Sequence, residues 1–148
     1  MTIKYNASSS WGAYSAADAV TGGYWCSARG AEPPQFWWIS FEERPVEIVK
    51  IAFDEQYVGA TYEFFASDTK ECTTEGRKLI SGTREQINEE MFTNGKPYYC
   101  YGLNITNLPT PKSSVGPVAS LKQFHFVFQD PFFQGKSQVL DREKNVLF

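Results

Sequence analysis

The sequence is poor in the residues on which most protein catalysis rests. Its 148 residues include one histidine, His125, and three cysteines, Cys26, Cys72 and Cys100. No GxSxG, HExxH or phosphate-cradling glycine loop occurs, so the common hydrolase, zinc-protease and nucleotide-binding signatures are missing. The cysteines form no CxxC pair and have no histidine at ligand spacing, so the pattern of a zinc site is missing too. His125 stands between Phe124 and Phe126 and reads as a solvent- or loop-facing strand residue. The pairs Glu42-Glu43 and Glu89-Glu90 read as solvated surface. Cys26 has no cationic neighbour nearer than Arg29, which gives no support for a reactive thiolate. These absences point away from an enzyme.

Positive charge is also scarce. Fourteen Lys and Arg face seventeen Asp and Glu, a formal charge of −3. Nothing in that balance suggests a nucleic-acid partner, and no polybasic block suggests a membrane anchor. No apolar run reaches the roughly 20 residues of a membrane span. The opening MTIKYNASSSW lacks the apolar core of a signal peptide, which leaves two readings. One is a cytoplasmic chain; the other is an extracellular domain of a larger secreted or cell-surface protein. One disulfide with one cysteine left over suits an oxidising compartment, while three buried free thiols would suit the cytoplasm. The sequons Asn6-Ala7-Ser8 and Asn104-Ile105-Thr106 are candidate glycosylation sites of a secreted protein.

Aromatic residues, by contrast, make up 16% of the chain, and they recur with period two. Trp37, Ile39 and Phe41 share a face opposite Trp38 and Ser40. Val49, Ile51 and Phe53 oppose Ile48, Lys50 and Ala52. Tyr62, Phe64 and Ala66 oppose Thr61, Glu63 and Phe65. Tyr99, Tyr101, Leu103 and Ile105 oppose Tyr98, Cys100, Gly102 and Asn104, and Phe124, Phe126 and Phe128 oppose His125 and Val127. Each stretch predicts a half-buried antiparallel strand. Turn residues punctuate them, including Asn94-Gly95 and the run from Pro109 to Pro111. One helical turn is expected at TREQINEEMF, capped by Thr83 with Gln86 in the reciprocal position. Many short strands with regular turns imply an all-β antiparallel β-sandwich. It should occupy residues 1–130, with 131–148 a C-terminal extension or linker. Trp37 belongs in the core, and Trp38 faces outward over a neighbouring strand or loop.

The order of these stretches resembles the discoidin (coagulation factor 5/8 type C) domain of the galactose-binding-like superfamily, which implies that the sandwich is a jelly roll. The resemblance rests on ASSSWGAYSAADAVTGGYWCSA, PPQFWWISF, VEIVKIAF, ATYEFFASD, PYYCYGLNI and GPVASLKQFHFVF, and it runs from about Asn6 to Gln129. By this resemblance Trp25 is buried. Many members hold calcium with an Asp where this chain has Thr21, which weakens a hard-cation site; Asp18 is the nearby carboxylate that could substitute. Many members also join their termini by a disulfide. Here the cysteines are interior, and the expected pair is Cys72, in a strand-end loop, with Cys100, at an outward position of a late strand.

Discoidin-like domains bind sugars, lipid headgroups or proteins through loops at one end of the sandwich. The resemblance therefore directs attention to Trp11 and Tyr14 in SSSWGAYS, Tyr24 in TGGYW, Arg29 in ARGAEPPQ, Tyr57 in DEQYVGA and Arg84 in GTREQIN. Aromatic rings can stack on sugar faces while Arg, Asn or carboxylate groups bond the hydroxyls. The bland alternative is that Trp11 and Tyr14 plug the end of the barrel. The expectation is a non-enzymatic, lectin-like or adhesive module whose partner is a carbohydrate or a cell-surface glycoprotein. A protein-binding scaffold domain of a larger assembly is the alternative. Membrane-lipid binding ranks last, because only Tyr57-Val58 resembles an apolar spike.

Overall fold

A computed structural model describes residues 2–73, 76–110 and 116–129, together with the backbone of 137–140 and 146–147. Alternation of apolar and polar residues organises the chain into two antiparallel sheets. The first contains β1 (Ile3–Ala7), β3 (Gln35–Phe41), β5 (Thr61–Ser67), β6 (Arg77–Gly82) and β7 (Cys100–Asn107), in the order β1-β3-β7-β5-β6. The second is built around β8 (Ser120–Gln129). β4 (Glu47–Asp54) pairs with it, as do β2 (Tyr24–Cys26) and β9 (Ser137–Leu140), and β10 (Val146–Leu147) pairs with β9. The last two strands fall in the expected extension, of which 131–136, 141–145 and 148 lie outside the described residues, as does residue 130. Pro111, in the expected Pro109–Pro111 turn, lies outside them too.

The inner faces of the two sheets meet in one core. Trp25, Trp37, Ile39, Phe64, Leu103 and Leu121 are fully enclosed there, and Phe41, Phe124 and Phe126 are nearly so. The two enclosed indoles are satisfied as well as buried. Trp37 Nε1 donates to the Ala16 carbonyl at 2.9 Å, and Trp25 Nε1 donates to the Ser9 carbonyl at 2.9 Å. A buried indole N–H without such an acceptor would carry a desolvation cost. Tyr101 links strands by its hydroxyl, which donates to the Val46 carbonyl at 2.5 Å and accepts from Asn94 Nδ2 at 2.8 Å.

Two faces depart from simple alternation. In β4 Ile48 joins the core cluster and Val49, though buried, does not, because Ile48 pairs with Phe128 and Lys50 with Val127, leaving Val49 as the extra residue of a bulge. A bulge shifts the inward phase by one residue. Before β7, Tyr98 enters the core while Tyr99 is half-buried, since Tyr98 forms an isolated bridge to Val46 and the strand begins only at Cys100.

The expected helical turn is α1 (Arg84–Glu89). Its N-cap Thr83 accepts from Gln86 N at 3.4 Å, and Gln86 Oε1 accepts from Thr83 N at 2.9 Å. Cys72 and Cys100 form a disulfide with Cα atoms 5.4 Å apart, and Cys26 is a buried free thiol.

Candidate functional site

The loop following β1 is stitched to β2 by its backbone. Trp11 N donates to the Cys26 carbonyl at 2.9 Å, and Tyr14 N donates to the Trp11 carbonyl at 3.0 Å. Gly12, at φ +56°, supplies the left-handed residue that this tight turn requires. Trp11 and Tyr14 are thereby laid beside β2. Tyr14 stacks on Tyr24 with centroids 4.8 Å apart and planes 13° apart. Trp11 meets Tyr14 edge-on at 6.1 Å. From the next loop, the guanidinium of Arg29 lies over the Trp11 ring, 3.6 Å from its centroid. Four of the six sequence-predicted ligand residues therefore form one contiguous platform. Tyr14 is 38% exposed and Arg29 is exposed, while Trp11 and Tyr24 are half-buried. Neither Trp11 nor Tyr14 joins the core cluster, so the two do not form the buried plug of the bland alternative.

A polar hub beneath the platform fixes its loops. Ser9 Oγ donates to Gln35 Oε1 at 2.7 Å and accepts from Ala28 N at 3.0 Å. Ser8 Oγ donates to the same Gln35 oxygen at 2.8 Å and accepts from Phe36 N at 2.9 Å. Gln35 Nε2 donates in turn to the Glu32 carbonyl at 2.8 Å. The Ser-Ser run preceding Trp11 was visible in the sequence, but its partner across the molecule was not.

Gln56 also escaped sequence reasoning. It brings the β4–β5 loop against β2, where its Oε1 accepts from the Cys26 thiol at 3.9 Å and from Ser120 Oγ at 3.4 Å. The Tyr24 phenol is held above the ordinary tyrosine range, first by its hydrogen bond with Tyr14 and then by desolvation; the Gln56 bond opposes this. The Tyr24 phenol therefore stays protonated near neutrality and can donate as well as accept.

The remaining expected site residues lie apart from this platform. Arg84 is committed elsewhere, with Nε 3.7 Å from Asp54 and 3.9 Å from Glu55 and Nη2 2.7 Å from Glu85. It lies beside the buried acid Glu55 and does not join the ring platform. Tyr57 is half-buried next to Gln56 and takes no part in the ring stack, while Val58 beside it is 75% exposed. Asp18 caps the short 3-10 helix Ala16–Ala19, its Oδ2 accepting from Ser15 N at 2.9 Å and Ser15 Oγ at 3.0 Å. The described residues contain no group of three or more acidic, His or Cys side chains able to hold a metal. A single carboxylate already engaged as a cap does not fit a calcium site, which wants several charged oxygens.

Asn6 is exposed on edge strand β1. Asn104 differs: it is half-buried on central strand β7, with Nδ2 donating to Glu63 at 2.9 Å. A glycan on that nitrogen would have to displace the Glu63 contact, which argues against Asn104 as an acceptor.

Comparison with solved structures defines the class of fold. The chain is similar to chitosan-binding module 1 of a Paenibacillus sp. IK-5 chitosanase/glucanase, at 22% identity and TM-score 0.62, over 82% of this chain and 91% of the module. It is similar to the family 32 carbohydrate-binding module of Clostridium perfringens NanJ, solved with galactose, at 18% identity and TM-score 0.58, over 84% and 92%. A third likeness is to CBM32-3 of a C. perfringens family 31 glycoside hydrolase, at 16% identity and TM-score 0.63, over 84% and 89%. These modules share the discoidin-like, galactose-binding-like β-sandwich, which is the fold of this chain. No family model matches the sequence, and no curated protein matches it either.

Proposed function

We propose that the protein is a non-enzymatic carbohydrate-binding module that recognises sugar through the Trp11–Tyr14–Tyr24–Arg29 platform. The observation that carries this reading is the platform itself, an open aromatic cluster with a guanidinium at one end of the sandwich. Aromatic faces match the C–H face of a pyranose, and Arg29, Gln56 and the tyrosine hydroxyls supply donors and acceptors for its hydroxyls. The fold supports the same reading, because the similar solved modules are described as binding chitosan or galactose. The Cys72–Cys100 disulfide supports an extracellular location, as part of a secreted or cell-surface protein meeting glycans or glycoproteins.

The test is a glycan array probed with the protein, followed by titration of the best hit against wild type and Trp11→Ala. Binding that is lost in the folded variant supports the platform. A blank array, or a hit indifferent to Trp11, would sink this reading and favour the protein-binding scaffold.

A further inference from the structure

A trough lies on the outer face of the first sheet. β1 and β3 pair so that Asn6 sits opposite Trp38 and Lys4 opposite Ser40, all on the side away from the core. One strand further in, Trp38 pairs with Gly102 and Ser40 with Cys100. Gly102 is required there, since a Cβ would stand 2.7 Å from Phe65 Cζ and 3.2 Å from Trp38 Cβ. The bare backbone at Gly102 thus lets two aromatic side chains close over the central strand. The disulfide then pulls the segment containing Lys70, Glu71 and Cys72 onto the same face. Edge strand β1 and this tethered loop become the two walls of a trough of about 530 Å3, with Trp38 in its lining. That volume falls in the range of roughly 300–1,000 Å3 typical of small-ligand sites.

The lining decides the chemistry of the occupant. Lys4 and Lys70 are balanced by Glu42 and Glu71, and Asn6 and Ser40 add neutral donors and acceptors. Lys4 Nζ and Glu42 Oε1 already pair at 3.6 Å, so the wall carries no net field that would favour an ion. An indole beside a dense, charge-neutral set of donors and acceptors suits a neutral polyhydroxylated ring. We propose that this trough is a second saccharide site, centred on Trp38 and specific for uncharged pyranoses. It is independent of the loop platform and does not rest on that platform binding sugar.

The four indole N–H resonances of the 15N-labelled protein separate the two sites. Trp25 and Trp37 are enclosed and act as internal controls. Galactose, N-acetylgalactosamine and cellotetraose are titrated separately into wild type, Trp11→Ala and Trp38→Leu, with Trp38→Phe used for assignment. At least one of these sugars is expected to shift the Trp38 resonance saturably, and the shift should persist in Trp11→Ala. Trp38→Leu should lose that response while any Trp11 response survives. A Trp38 resonance unmoved by all three sugars overturns the trough whatever Trp11 does, and so does a Trp38 shift that vanishes in folded Trp11→Ala. A moving Trp38 beside a static Trp11 would sustain the trough and remove the platform. The wild-type titration decides even if a variant fails to fold.

Discussion

The guanidinium of Arg29 rests 3.6 Å from the centre of the Trp11 ring, although the two residues belong to different loops. The contact couples the loops and leaves the guanidinium's N–H groups at the rim of the aromatic surface. Trp11→Ala should therefore weaken sugar binding at least about tenfold, or ~1.4 kcal/mol. Its melting temperature should stay close to wild type, because Trp11 is outside the core cluster. Titration calorimetry paired with a thermal melt checks both halves. A large fall in melting temperature would mean that Trp11 is a structural plug after all.

Trp37 and Trp38 offer a contrast within one strand. Trp37 is fully enclosed and bonded to the Ala16 carbonyl, whereas Trp38 is half-buried on the outer face. Trp37→Ala should cost about 3–5 kcal/mol, as truncation of a core aromatic does. Trp38→Ala should cost clearly less. Urea unfolding of the two variants gives the ranking, and the reverse order would mean that the strand faces are exchanged.

Arg84 should prove a stability residue. Its partner Glu55 is enclosed, and Tyr62 donates to the Glu55 carboxylate at 2.5 Å. Removing the guanidinium leaves that acid less compensated, so Arg84→Ala should destabilise by ~1–3 kcal/mol. Sugar affinity should remain unchanged. A folded variant with wild-type stability and reduced affinity would restore the binding role.

Glu55 also sets a pH dependence. Desolvation holds its carboxyl above the ordinary glutamate range, with the Tyr62 hydrogen bond and Arg84 opposing and the charges of Glu85 and Asp54 adding to the rise. The native state therefore binds this proton more tightly than the unfolded chain does. The group's stabilising contribution is complete below its unfolded pKa and is lost as pH rises through its folded value. Relative to wild type, Glu55→Gln should gain stability as pH is raised from about 4 through that interval. Parallel denaturant curves across the range measure the difference, and a flat difference would exclude the raised value.

Peptide mapping without reductant should recover Cys72 linked to Cys100, with Cys26 alkylated only after denaturation. Reduction should cost about 3–4 kcal/mol, given the 28-residue separation that the bridge closes. Alkylation of all three thiols after oxidising purification would contradict the bridge.

The sandwich was legible because period-two aromatic patterns survive even in short strands. Trp37, Phe64 and Phe126 could be placed in the core from alternation alone. Alternation fails where the backbone inserts a residue, as at Val49, because a bulge leaves no local sign in side-chain chemistry. Trp11, Tyr14, Tyr24 and Arg29 could be nominated by their loops, but their mutual stacking depends on loop-to-strand bonds that no local pattern encodes. The surroundings of Arg84 were hidden for the same reason: besides its neighbour Glu85, its acid partners Asp54 and Glu55 lie some thirty residues earlier, at and just after the end of β4. Gln56 and the trough around Trp38 arise from pairings between distant strands and from where the disulfide draws its loop. Such neighbours appear only once the sheets are assembled.

Ser9 bonds at once to the core indole of Trp25, to the backbone before Arg29 and to Gln35 at the start of β3. The loops that carry the proposed platform are thereby held in place when the sandwich folds, and little of their entropy would remain to be lost on binding a sugar. Association should then resemble a key entering a finished lock, with free and bound backbones superimposable and affinity governed by how fast the sugar leaves. The same rigidity would narrow the choice of sugars, since a platform that cannot remould itself would reject any epimer whose hydroxyls point the wrong way.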